Sequence, residues 1–496
     1  MRSSLLSSGL LIAASLASAQ VARAQANDAP PGAAGAPVAP TTTDVAPLQP
    51  ASTTPMAVPE DLLRAHPGGI TAEQVGQRAM ETSFAAKQSL ETLHAAQARV
   101  DAAWAAFIPR LSGAAKYTRL SSFTVPDITF LPGTPPVSGS VIYPLFLNNY
   151  VMQATLTVPI SDYFLRINQA YSAATKSTEA ARFDLGASRA GAFTNAKVAY
   201  YTWLQMRGAV VVAVQALNDQ RVHLNDAKNQ FTVGNASKAD VLRGETNVAS
   251  AELAVVTAEN QADLAETQMR IAIHGPSDRK LVPGEGLDGT QEVTQGNLKS
   301  LVDEGVAARF EVKSVEKNAE AARRTAAAQK AGRYPVVSAF GDGIYANPNP
   351  RLFPAQEKFF PTWDLGVQAI WAPNDILTAN GNAADYEARA AALEAQAQVT
   401  REGIEVEITQ SWQSLKQAEF ALGSTRRELA SATEAYRVAR ELFTNGRGTS
   451  TTLTDAEGEL TRARIDALNA MVNARIARVK LDHAVGRDLR GLAVQP

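Results

Sequence analysis

The sequence contains no cysteine. Disulfides, thiolate chemistry and a cysteine-linked lipid are therefore excluded, which suits an oxidising compartment without proving one. Aromatic residues are scarce at 6%, and alanine supplies much of the 45% hydrophobic content. That mix belongs to coiled helices rather than to a thick globular core. An excess of either charge sign is missing too. The formal net charge is −2, so the total points to neither nucleic acid nor an acidic substrate. His66, His94, His223, His274 and His483 are scattered without metal-ligand spacing and read as solvated or interface residues. Gly341-Asp342-Gly343 and Gly446-Arg447-Gly448 lack the strand–glycine–helix context of a phosphate loop. Pairs such as Glu405 with Glu407, or Arg426 with Arg427, read as solvated helix faces. No cofactor or metal is implied, and nothing argues for an enzyme.

Long hydrophobic runs are also lacking. The apolar stretch at 5–17 follows Arg2, is short and serine-rich, and precedes small-x-small sites at 17–19 and 22–24. It reads as a secretory signal over 1–24, with a first transmembrane helix as the alternative. Elsewhere no run of about 18 apolar residues occurs, so no other bilayer-spanning helix is expected. Positions 28–59 are Pro, Ala and Thr with few large apolar residues; such a stretch cannot bury a core and reads as a disordered tether.

What is present is repetition. Over 375–447 large side chains recur every seven residues: Ile408, Leu415, Leu422, Leu429, Tyr436, Phe443. The interleaved stripe is small or polar: Ser411, Ala418, Thr425, Ala432, Ala439. A seven-residue period keeps one stripe against a partner helix and drives a left-handed supercoil. The pattern also stands 212 residues upstream, in Ala196, Trp203, Val210, Leu217, Leu224 and Phe231. The chain thus carries one long coiled helix twice.

Each copy has the same order. A helix over 71–106, with Thr71 as N-cap, meets Pro109. Strands are predicted at about 111–124 and around 150–158, the second placing Tyr150, Met152, Ala154, Leu156 and Val158 opposite Val151, Gln153, Thr155 and Thr157. A Pro-rich loop with Pro126, Pro132, Pro135, Pro136 and Pro144 lies between them. One apolar and one polar face fits a barrel with lipid outside and water inside, and equally a half-buried hairpin. A proline-free helix over 165–231 and a return helix over 238–273 complete the copy. The second copy has a helix over 296–331, a strand to about 346, and a strand alternating Trp363, Leu365, Val367, Ala369 and Trp371. A long helix and a return helix to about 485 follow. Two short helices end to end match one long one, which gives a cylinder wall of even height. Four strands cannot close a membrane barrel, and open edges in lipid leave backbone groups unpaired. Several chains must then share one barrel: three give twelve strands, and a dimer is the weaker option.

The helix-to-strand passage Ala105-Ala106-Phe107-Ile108-Pro109-Arg110-Leu111-Ser112, the turns at Pro159 and Pro373, and the duplicated break Phe231-Thr232-Val233-Gly234 against Phe443-Thr444-Asn445-Gly446 carry a resemblance. Over about 70–486 the chain resembles the TolC-type outer-membrane channels of efflux pumps and type I secretion. It rests on the whole order of elements rather than on one motif. The resemblance implies a homotrimer, with a twelve-stranded barrel in outer-membrane lipid continuing into a helical barrel across the periplasm. It implies a periplasmic adaptor (membrane fusion protein) docked on the hairpin tips, Val233, Gly234, Asn235, Asn445, Gly446 and Arg447, and an inner-membrane pump. It places a periplasmic gate at Asp455, with Thr452 where a second acidic residue is usual, Gly448 where an arginine is usual, and Asp240 in the first copy. A ring of like charges in a narrow entrance binds cations and repels itself. The same carboxylates equally suit helix N-terminal capping, and for Asp240 capping is the reading preferred. Tyr150, Tyr163, Trp363 and Trp371 suit membrane interfaces.

The expected fold class is mainly α with a small β part: two structural repeats form an α-barrel and contribute four strands to a shared β-barrel. The expected segments are 1–24 (signal peptide), 25–69 (disordered), 70–290 (first repeat), 291–486 (second repeat) and 487–496 (tail). A passive exit duct in the outer membrane is the leading function. A periplasmic adaptor or a structural coiled-coil protein of an export complex is the alternative. The exported cargo is not encoded in any feature of the chain.

Overall fold

In a computed structural model, the described residues are 65–122, 146–275, 281–287 and 297–488. The signal segment, nearly all of the Pro/Ala/Thr stretch, the Pro-rich loop and most of the tail lie outside them.

Thr71 starts the first helix with a capping box: its hydroxyl accepts from the Gln74 backbone N–H, and the Gln74 side chain accepts from the Thr71 N–H. The helix expected over 71–106 is two helices, α1 (Ala72–Thr82) and α2 (Phe84–Ala105). The one expected over 296–331 is likewise α6 (Leu298–Ala308) and α7 (Phe310–Lys330). Single residues make the cuts. Ser83 (φ −59°, ψ 128°) and Arg309 (φ −61°, ψ 131°) leave the helical region. Ser83 then caps α2 through the Ala86 N–H. Arg309, 7% exposed, bonds Glu311, Glu407 and the carbonyls of His483 and Ala484. Apolar periodicity runs across both cuts, which is why they do not show in the pattern.

Strands β1 (Arg110–Arg119), β2 (Asn148–Val158), β3 (Val336–Asn347) and β4 (Phe360–Ile370) form one antiparallel sheet in that order. β1 stops about five residues before its expected end, because its ladder with β2 closes at Arg119↔Asn148. The middle pair, β2 with β3, joins the two repeats, in register Thr155↔Asp342. The outer edges of β1 and β4 have no strand partner among the described residues.

Below β2 the chain enters a short helical turn, α3 (Ile160–Asp162), and a wide π turn (Tyr163–Ile167). Tyr163 stacks there on Phe107, with ring centroids 6.1 Å apart. The long helices follow: α4 (Asn168–Thr232) and, after β4, α8 (Asp375–Thr444). Each spans about 100 Å at 1.5 Å per residue. Their return helices are α5 (Lys238–Ala272) and α9 (Ser450–Ala484).

The seven-residue stripes face inward along most of their length. Ala196, Trp203, Val210, Leu217, Ile408, Leu415 and Phe443 are buried, while Leu224, Leu422, Leu429 and Tyr436 are half-buried. Phe231 departs from this. It is 45% exposed, whereas its counterpart Phe443 is 4% exposed and packs with Ala227 and Leu453. The short helices stack along the long ones as their lengths require. On α4, Leu93 and Ala96 of α2 meet Ala181 and Leu185, and farther down Val255 and Ala258 of α5 meet Val210, Val214 and Leu217. Two thicker cores sit at mid-height. One joins α1, α4, α5 and α9 around Trp203, Tyr200 and Met269; the other joins α6, α7, α8 and α9 around Ile408 and Leu481. Among the described residues no helix is long and apolar enough to cross a membrane.

Candidate functional site: the sheet faces and the hairpin tips

The sheet separates its side chains by parity, as a pleat must. On one face, row by row, stand Leu111, Leu156, Gly341 and Leu365; Gly113, Ala154, Gly343 and Trp363; Ala115, Met152, Tyr345 and Pro361. This face is apolar and open: Trp363 and Leu365 are each 76% exposed. The opposite face carries Ser112, Lys116, Gln153, Thr155, Thr157, Ser338, Asp342, Asp364 and Gln368. It is cross-linked by polar bonds. Asp342 accepts from Gln153 at 3.0 Å and from Thr155, and Arg351 reaches Asp364 at 2.7 Å. The apolar side of this sheet is the more exposed one, which inverts the arrangement of a soluble domain.

The four aromatic positions singled out in the sequence take different places. Tyr150 lies at the end of the sheet far from the helices and clusters with Tyr117 (5.0 Å) and Phe359 (6.0 Å). Tyr345 stacks on Phe359 at 5.1 Å. Trp371 stands at the opposite end, 56% exposed, and its indole N–H donates to the Arg333 carbonyl. Trp363 lies between the ends of β4, and Tyr163 sits below the sheet against Phe107. Sequence reasoning missed Tyr117, Tyr345 and Phe359. The first two share the parity of Tyr150, which was the available signal.

The hairpin tips are built alike. Gly234 (φ +84°) and Gly446 (φ +70°) take the left-handed conformation that glycine adopts without strain. Asn235 N–H bonds the Gln230 carbonyl and Arg447 N–H bonds the Leu442 carbonyl, each at 2.8 Å. Gly234 N–H bonds the Phe231 carbonyl and Gly446 N–H that of Phe443. Both tips therefore end in the same Schellman closure. Ser237 and Thr449 then cap the return helices. The tips of the two hairpins touch: Gln230 donates to the Thr444 carbonyl at 2.7 Å. Val233 is 68% exposed at the extremity.

Just inside the tips, Asp240 is half-buried and its carboxylate accepts from the Ser237 N–H (3.0 Å) and hydroxyl (2.6 Å), with Arg243 at 3.4 Å. The Ser237 hydroxyl and backbone N–H hold that carboxyl below the usual carboxylate range. Thr452 holds the equivalent place in the second copy, its N–H donating to the Thr449 hydroxyl. Asp455 is exposed, with no salt-bridge partner among the described residues. Among the described residues no group of His, Asp and Glu is arranged to hold a metal ion.

Residues 75–273 match the family model described as outer membrane efflux protein. No curated relative matches by sequence. Solved structures match over most of the chain. The outer-membrane channel OprN is 17% identical, with 84% of this chain and 89% of that chain covered and a TM-score of 0.70. CusC, described through its folding and transmembrane channel formation, is 14% identical, with 84% and 92% covered and a TM-score of 0.71. VceC of Vibrio cholerae is 18% identical, with 84% and 96% covered and a TM-score of 0.67. The family match covers the first repeat, and the fold shared with these solved proteins extends across both.

Proposed function

We propose that this protein is the passive exit duct of a tripartite efflux pump or a type I secretion system, seated in the outer membrane and reaching into the periplasm. One observation carries the reading: a four-stranded sheet whose apolar face is open and whose two edges have no strand partner among the described residues. Lipid covers the first feature and neighbouring copies close the second. Three copies supply twelve strands, above the minimum of about eight for a membrane barrel. The long helices then continue the barrel as a tube. Apolar residues left outward on α5 (Leu253, Val256, Leu264) and α8 (Val399, Val406, Phe420) suit helix contacts between copies. Leu253 and Leu264, like Phe420, are more than half exposed in the single chain.

The tips Val233, Gly234, Asn235, Asn445, Gly446 and Arg447 form the docking surface for a periplasmic adaptor, which joins the duct to an inner-membrane pump. Asp455 faces the entrance as the acidic ring. Asp240 belongs to the cap of α5, since its carboxylate is already engaged by Ser237 and Arg243. With Thr452 in place of a second acid, the ring is single. Tyr150, Tyr117 and Tyr345 mark one lipid–water boundary and Trp371 the other. The polar face of the sheet, turned to the lumen in this reading, suits passive passage. Membrane fractionation followed by planar-bilayer recording tests this. Outer-membrane protein that needs detergent and forms stable pores supports it; a water-soluble product without conductance overturns it.

A further inference from the structure

At the end of the sheet far from the helices, β3 passes to β4 through residues 348–359. This segment folds back over the polar face instead of standing clear of it. Asn349 pins the fold. It is fully buried, its amide donates to the Phe360 carbonyl at 2.8 Å and to the Thr362 hydroxyl at 3.1 Å, and its side-chain oxygen accepts from the Arg351 N–H at 2.9 Å. Beneath the segment lies a cavity of about 320 Å3, lined by Asn149 and Val151 of β2 and by residues 348–353. Asn149 and Val151 share the parity of Gln153 and Thr155, so the covered face is the polar one. The return leg is held from the other face, where Phe359 packs on Tyr345 and Tyr150. Asp364 lies four residues beyond the start of β4, about 13 Å along the sheet at 3.3 Å per residue. The Arg351 guanidinium reaches it at 2.7 Å because the segment is folded back.

That contact answers a charge conflict in the sheet. Asp364 stands directly across the ladder from Asp342, and like charges placed opposite one another on neighbouring strands are destabilising. Asp342 accepts from Gln153 and Thr155, which are neutral donors. The rest of the row, Ser112 and Thr155, is neutral too. Arg110 and Lys116 of the same face stand on β1 in other rows, opposite Thr157 and Val151. Among the described residues, Arg351 is the cation that forms an ion pair with this pair of carboxylates.

We infer that Arg351 sets the ion preference of the passage at this far mouth. The inference rests on the duct reading, in which the polar face lines the lumen. Three copies then bring Asp342 and Asp364 into one ring of carboxylates, with an Arg351 guanidinium laid on each aspartate pair. A ring of carboxylates draws cations and repels anions. Each guanidinium cancels one of the two negative charges its chain contributes, so the ring keeps half of the charge it would carry bare. The ring is independent of Asp455. Helices of about 100 Å separate the sheet from the hairpin tips, far beyond the screening length of about 10 Å at 0.1 M salt. The charge at the mouth therefore adds its own bias to whatever the entrance imposes.

Reversal potentials of the full-length protein in planar bilayers, under a potassium chloride gradient at about 0.1 M mean salt, test this. Arg351→Gln keeps a hydrogen-bonding side chain and removes the charge. It is expected to raise the potassium-to-chloride permeability ratio about twofold or more. Asp364→Asn removes a carboxylate and is expected to lower the ratio. Arg351→Lys keeps the charge and is expected to leave the ratio close to that of wild type. A ratio unmoved or lowered by Arg351→Gln overturns the assignment. So does a rise in Arg351→Lys equal to that in Arg351→Gln, since the segment's position rather than its charge would then decide. Should Arg351→Gln fail to insert, Asp364→Asn decides, and a ratio that stays or rises in it overturns the inference. Conducting pores with an unchanged ratio sink this inference alone, whereas a protein that forms no pores sinks the duct reading and this inference with it.

Discussion

Asp240 and Asp455 sit three and six residues beyond the capping positions of their helices, and only Asp240 is engaged by a cap. The sign of its pH dependence follows. A carboxyl depressed in the folded state contributes above the ordinary carboxylate value and loses that contribution as pH falls through the depressed one. The first turn of α5 is therefore expected to fray below about pH 4. Asp240→Asn should remove that acid step and weaken the cap by about 0.5–2 kcal/mol. Hydrogen exchange of the 237–245 peptide across an acid series checks both. For Asp455 the expectation differs. Asp455→Ala should raise conductance in the presence of divalent cation by relieving block, with little change in thermal stability. Unchanged block in bilayer recordings removes Asp455 from the gate. At this scale the sequence was partly informative. The capping of Asp240 could be read from Ser237 three residues earlier. The burial of His223 could not, because a histidine beside Leu224 in an alternating polar run carries no sign of what packs on it. Only the arrival of Glu457 on α9, more than 200 residues later in the chain, makes it a buried pair.

At the scale of elements, the positive-φ glycines are the most legible feature. Gly446→Ala should cost about 1–2 kcal/mol, because alanine in the left-handed region meets its own carbonyl. Gly305→Ala should also destabilise, although alanine is the better helix former. A Cβ there would stand 3.1 Å from the Ala484 carbonyl oxygen and 3.3 Å from the Val485 Cα, with Ile408 closer still. Overpacking of this kind costs about 1–3 kcal/mol, more than the propensity gain. Thermal melts of the two variants check these outcomes. The long helices, their breaks and the alternating strands followed from periodicity. The cuts at Ser83 and Arg309 did not. A single extended residue leaves the apolar pattern intact on both sides, and the reason for the second cut is a buried guanidinium reaching carbonyls at the end of α9. Phe231 and Phe443 occupy the same heptad position and differ tenfold in exposure, because α4 and α8 have different neighbours near the tips.

The whole molecule is best understood through its sheet. Alternation in 150–158 and 363–371 fitted a barrel wall and a soluble hairpin equally well. What separates them is the register: Thr155↔Asp342↔Asp364 on one side, and Leu156, Gly341 and Leu365 on the other. Two repeats pool their strands so that the polar side chains of β1, β2, β3 and β4 gather on one face, and no single strand announces that. In the proposed duct, lipid covers the apolar face and further copies pair with the edges of β1 and β4, which have no strand partner among the described residues. Stoichiometry is therefore the direct test. The mass of the detergent-extracted protein, determined by native mass spectrometry, should be close to three times that of one processed chain. A single-chain mass for protein that stays soluble without detergent would contradict the account.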